Sequence, residues 1–191
     1  MRRVLLAGVM AAVLGMSPTA AAPTADRVWF CPGPGTTDYI RLFEHPEEWA
    51  HARQLVDVFK FYQQHTQLPP PSIVGSNSVD ALARAGAFRT LTKWGKKIAI
   101  EAGSVKDFYC TPDGSGMNAS IASTVASLQA VQGAGGSVAY IAMDDPFAAG
   151  RAPVCGGPAL EPTADRIAIY AQGVHGLFPN VKIGLIDAYP T

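Results

Sequence analysis

The residues best placed to do chemistry are acids that follow strand-like runs. Lys97–Glu101 closes on Glu101, Val138–Met143 runs into Asp144-Asp145-Pro146, and Val181–Ile186 runs into Asp187. Burying a charge is costly without a partner or a purpose, so carboxylates gathered at three strand ends point to one working rim. An all-oxygen set of this kind suits a hard divalent cation. His45, His51, His65 and His175 fall in predicted helices or loops and close no strand, so they do not add imidazole to such a set. Each acid also has a plain reading. Glu101 can pair with Lys60 or Lys106, Asp144 or Asp145 can hold the turn before Pro146, and Asp187 can belong to a turn. Alternation along a strand predicts that one of Asp144 and Asp145 points into the rim.

Those acids need strands to position them, and the chain alternates strand and helix. Arg27–Cys31 is short, aromatic and β-branched, and stops at Pro32-Gly33-Pro34-Gly35. His45-Pro46-Glu47-Glu48 predicts a helix start, running to about Leu55, and Val56–Tyr62 alternates as a second strand. After Pro69-Pro70-Pro71, Asn77 or Ser78 caps a predicted helix through Val79, Leu82, Phe88, Leu91 and Trp94, closed by Gly95. Strand three is Lys97–Glu101. A loop with Cys110, Gly114 and Gly116 leads to a helix carrying Ile121, Val125, Leu128 and Val131. Val138–Met143 is apolar throughout, as a strand buried on both faces would be. A loop from Phe147 to Pro162 precedes a helix capped near Thr163, and Val181–Ile186 is the fifth strand.

About five strands and four helices in this order predict an α/β fold with parallel strands joined by right-handed crossovers. An open doubly wound sheet and a (β/α)₈ barrel both fit. Strand starts near 27, 56, 97, 137 and 181 favour units of a TIM-barrel type with long βα loops. In either architecture the ligand site lies at the carboxyl ends of the strands.

The chain has 191 residues, 48% hydrophobic and 16% charged, with 15 basic and 15 acidic side chains. This apolar fraction can bury a core, and the lack of any basic stretch argues against nucleic acid as a partner. Residues 1–22 combine Arg2 and Arg3, an apolar run from Val4 to Met16 and a small-residue end, which predicts a secretory signal peptide cut near Ala21 or Ala22. Its removal leaves 13 basic and 15 acidic residues, net −2, in a domain spanning 26–191. The mature protein is then secreted or periplasmic, with no stable membrane insertion. Three cysteines allow one pair, and without Cys-x-x-Cys spacing they make no zinc site. Cys110 and Cys155 both lie in loops expected on one face and are the favoured pair; Cys31 is left as a free thiol or a nucleophile. Pro32-Gly33-Pro34-Gly35 is not the dinucleotide-binding Gly-x-Gly-x-x-Gly, and no Gly-x-Ser-x-Gly supports a serine hydrolase. No cofactor is expected.

Val28-Trp-Phe, Val58–Tyr62, Met143-Asp-Asp-Pro146 and Ile186-Asp-Ala-Tyr-Pro190 together resemble a group of secreted proteins in the (β/α)₈ glycoside hydrolase superfamily. Asp144-Asp145-Pro146 looks like the Asn/Asp-Glu-Pro ending of strand four in that clan. The resemblance implies that Asp145 is the general acid/base and Asp144 the supporting polar residue. Asp stands at 145 where the clan has Glu, one methylene shorter. Glycoside hydrolysis uses a second carboxylate, which the clan takes from strand seven. Here Glu101 or Asp187 would serve. Lys60, Phe61, Tyr62, Tyr109, Phe147 and Tyr189 would meet the sugar, or the aromatics would pack loops.

The expectation is therefore a glycoside hydrolase-like protein represented by the N-terminal portion of its barrel, about five of eight units. A non-catalytic carbohydrate-binding or scaffold protein of the same fold, or a divalent-metal barrel enzyme, are the alternatives. Open strand edges would favour self-association.

Overall fold

A computed structural model describes residues 28–36, 38–108, 111, 115–150, 155 and 161–187. The segment 1–22 read as a signal peptide lies outside them, as do Cys110, Tyr109 and Tyr189.

Five parallel strands pair strictly in chain order: β1 (Trp29–Phe30), β2 (Val58–Tyr62), β3 (Lys97–Ala102), β4 (Val138–Asp144) and β5 (Lys182–Ile186). The α/β class with a parallel sheet is as expected. The described strands follow strict chain order, with none of the mid-sheet reversal that marks a doubly wound sheet.

Alternation sends Phe59, Phe61, Ile98, Ile100, Ile141 and Met143 to one face, where the helices bury them. Among the described residues, no helix residue lines the cavity on the other face. Trp29 and Tyr140 meet across it at 5.3 Å between ring centroids, although β2 and β3 separate their strands. Such a contact requires the sheet to curl, concave on the bare side.

The helices depart from expectation in instructive ways. His45–Trp49 is a turn between two short helices, α1 (Arg41–Glu44) and α2 (Ala50–Leu55), braced by a bidentate Arg41–Glu48 pair. The helix expected over Val79–Trp94 is two, α3 (Val79–Arg84) and α4 (Ala87–Lys93), because Gly86 takes a left-handed φ of 71° that no helix interior allows. Its start is as read: the Ser78 hydroxyl accepts from the Ala81 N–H. A short helix α5 (Val105–Phe108) follows β3.

Gly116 is not in a loop. It sits in the first turn of α6 (Ser115–Gly133), where Thr111 Oγ1 accepts its N–H at 2.8 Å. That start is hard to read because Met117 is the only large apolar residue in the first turns, with the apolar repeat beginning at Ile121. α7 (Pro146–Gly150) occupies the start of the expected Phe147–Pro162 loop, with Pro146 at a first position that needs no N–H donor. α8 (Glu161–His175) begins two residues before Thr163, which is buried within it. Thr124 of α6 and Tyr170 of α8 share a buried 2.8 Å hydrogen bond; burial pushes the Tyr170 hydroxyl up to about 12 despite that bond. Among the described residues no helix is long and apolar enough to cross a membrane.

Candidate functional site

Strand registers stack the concave face in rows. Lys60, Ala99, Tyr140 and Lys182 lie level across β2 to β5, and Tyr62, Glu101, Ala142 and Gly184 form the next row towards the carboxyl ends. Asp144 and Ile186 lie above them. Ala99, Ala142 and Gly184 are small, so the middle of the face is hollow. A cavity of about 530 Å³ opens there, walled by Trp29, Cys31, Lys60, Tyr140 and Lys182 among others. Among the described residues no helix residue lines it.

Glu101 sits one residue before the end of β3 and pairs with Lys60, not with Lys106. Both side chains are partly buried, 11% and 13% exposed. Burial works against the Lys60 ammonium, but Glu101 with Cys31 and Tyr62 nearby holds it above the ordinary lysine range. Burial pushes the Cys31 thiol up, with the Lys60 ammonium opposing. The Tyr62 hydroxyl is raised chiefly by burial, and Lys60 Nζ stands 5.2 Å from its ring centroid.

Lys106 draws the other acids together. Its ammonium lies 2.6 Å from Asp144 and 3.7 Å from Asp145. Both aspartates therefore reach the same cation, where alternation alone expected one to turn away. Asp145 has left the strand: its φ is 44°, a left-handed conformation costly for a residue with a Cβ. Its N–H donates to Ile186 at 2.7 Å and its carbonyl accepts from Ala149 at 2.9 Å, so the turn before Pro146 is indeed built on it. Ser104, just past β3, has the same φ of 44°. Two adjacent strands thus exit through strained residues at the rim, a pattern associated with functional sites.

Asp187 follows β5 and binds inward. One oxygen accepts the Ala148 N–H at 3.2 Å, steadying the first turn of α7, and the other is buried with no hydrogen-bond partner among the described residues. Phe147 is half-buried in α7 and does not line the cavity. Phe61 corrects the expectation of a rim aromatic: it is odd in register beside Lys60 and Tyr62, so it faces the helices, fully buried. The acids of the rim do not gather as a metal site. Among the described residues only His45, Glu47 and Glu48 bring three ligand atoms within 4.8 Å, all exposed, with Glu48 already held by Arg41.

Known proteins offer no guide. No family model, no curated protein and no solved structure matches the chain.

Cys155 is disulfide-bonded and Cys31 is a free thiol; Cys110 lies outside the described residues. Trp29, Tyr140 and Lys182 were missed as site residues by reading only strand ends. Stepping back by twos from the strand ends at Cys31, Asp144 and Ile186 would have reached Trp29, Tyr140 and Lys182.

His65 ties the loop after β1 to the end of β2. It is fully buried, its Nδ1 accepts the Tyr62 N–H at 3.2 Å, and its Nε2 lies 3.3 Å from the Pro34 carbonyl. Accepting at Nδ1 makes Nε2 the protonated nitrogen of a neutral ring. Burial lowers its pKa, outweighing the two backbone bonds. Below about pH 6.5 the unfolded chain takes up a proton that the folded one refuses, so stability falls as pH drops through that range. The loss is about 1.4 kcal/mol for each pH unit separating the folded and unfolded titrations. Urea melts at pH 8 and pH 5 should show it, and His65→Gln should flatten the difference; an unchanged slope in the variant would assign it elsewhere.

Proposed function

We propose that the chain is an exported glycoside hydrolase-like protein of TIM-barrel type that handles carbohydrate on its concave face. Sequential parallel strands with the described helices packed on the outside, and a sheet curled towards its bare face, support the barrel reading. The observation that carries the carbohydrate reading is the cavity itself. An aromatic pair lies against it beside a partly buried Lys60, beneath strand ends bearing Glu101 and Asp144. Aromatic faces suit the apolar faces of sugar rings, and a few placed polar groups fix orientation. In this reading Asp145 is the proton donor and Asp144 shares Lys106 with it.

Asp145→Asn tests the catalytic half. Loss of a general acid is expected to slow hydrolysis of a responsive glycan by about 10²–10⁴-fold while binding persists. One arrangement favours a second reading, a non-catalytic carbohydrate binder. Glu101 is committed to Lys60 and Asp187 to the Ala148 N–H, which leaves neither a free second carboxylate. Unchanged glycan binding with no hydrolysis in either form would select the binder. A screen in which no glycan binds the wild type would remove both.

A further inference from the structure

Lys60 and Lys182 stand on the same register row, at opposite sides of the hollow, with Ala99 and Tyr140 between them. Among the described residues they are the only ionisable side chains besides Cys31 and Tyr140 in the cavity wall, and no described carboxylate lines it. Glu101 offsets Lys60 from the row above. Lys182 is exposed, and no ion pair to it is found among the described residues. The wall therefore presents a net cation next to the Trp29–Tyr140 pair. A neutral sugar would use the rings and leave Lys182 idle. A sugar carrying a carboxylate would use both.

We infer that the ligand of this face is an acidic saccharide, a uronate-bearing oligosaccharide whose rings lie on Trp29 and Tyr140 and whose carboxylate meets Lys182. This rests on the carbohydrate reading and narrows it. The cavity volume of about 530 Å³ is that of an ordinary small-ligand site and accommodates one or two sugar rings. Gly184 supplies part of the room. A Cβ added there would meet nothing within 4 Å, and its φ is not left-handed, so a larger residue fits the backbone and projects into the hollow.

The experiment is calorimetric titration of the protein with trigalacturonate and with its fully methyl-esterified form, which keeps the rings and linkages and removes the charge. Trigalacturonate is expected to bind about tenfold tighter, and more weakly as salt rises. Lys182→Gln should reduce its affinity about threefold to tenfold and leave the ester unaffected. Gly184→Leu should abolish binding of both while the thermal melt stays in place. Equal binding of acid and ester by the wild type, with no effect of Lys182→Gln, overturns the acidic preference and leaves the carbohydrate reading standing. Binding of neither, in a protein that also ignores a panel of neutral and acidic glycans, removes the carbohydrate reading and this inference with it.

Discussion

Phe61→Ala is expected to cost about 3–5 kcal/mol of folding stability, the range for emptying a buried aromatic site. The side chain has no exposed surface and lies against Tyr39 at 5.6 Å, Phe59 at 5.0 Å and Phe88 at 5.3 Å between centroids. These partners come from the loop after β1, from β2 itself and from α4, so no single movement closes the hole. Aromatic packing of this kind adds about 0.5–1.5 kcal/mol per pair beyond area burial. Domains have only about 5–15 kcal/mol in hand, so the variant should lose a large fraction of its margin. Urea denaturation would show a lower midpoint with an unchanged slope. A loss under about 1 kcal/mol would place Phe61 on the open face instead, where the sugar-stacking reading had put it.

The second large effect concerns the Lys60–Glu101 pair. Lys60→Met leaves Glu101 as a mostly buried carboxylate without its cation; breaking a fully buried pair from one side costs about 3–5 kcal/mol, and this partly exposed pair is expected to lose somewhat less. Removing both charges is a different matter. Lys60→Met with Glu101→Leu should recover most of the loss, because two apolar side chains of similar volume escape the desolvation that the pair must offset. The double-mutant cycle should therefore give a large coupling energy, readable from the same denaturation series. If the two single losses simply add, the pair is not a unit. Lys60→Met should also slow reaction of Cys31 with a thiol reagent at neutral pH, since the ammonium is the main influence opposing the rise in the thiol's pKa.

The parallel sheet was legible because its strands are rich in β-branched and aromatic residues bounded by Gly and Pro, and the Val138–Met143 run matches β4 to within a residue. Helix breaks were not. Gly86 reads as a tolerable helix glycine until its left-handed φ is seen, and Pro146 reads as a loop residue although it opens α7. The rim acids were found by position at strand ends, and Glu101 duly met one of its two anticipated lysines. What sequence position could not convey is curl. Trp29 and Tyr140 are far apart in the chain and on non-adjacent strands, and only bending of the sheet makes them neighbours. Phe61 failed for a simpler reason: a residue close to the rim in sequence still obeys the alternation of its strand.

The strict strand order bears on how the molecule is built in time. Each of β2 to β5 pairs with the strand synthesised immediately before it, across a crossover that carries two α-helices. Within these five strands, each pairing can form as soon as its second strand has been made. Loop-closure entropy is therefore met in small instalments, which favours assembly in the order of translation. The β1–β2 edge can act as a template on which the remainder accretes, unit by unit.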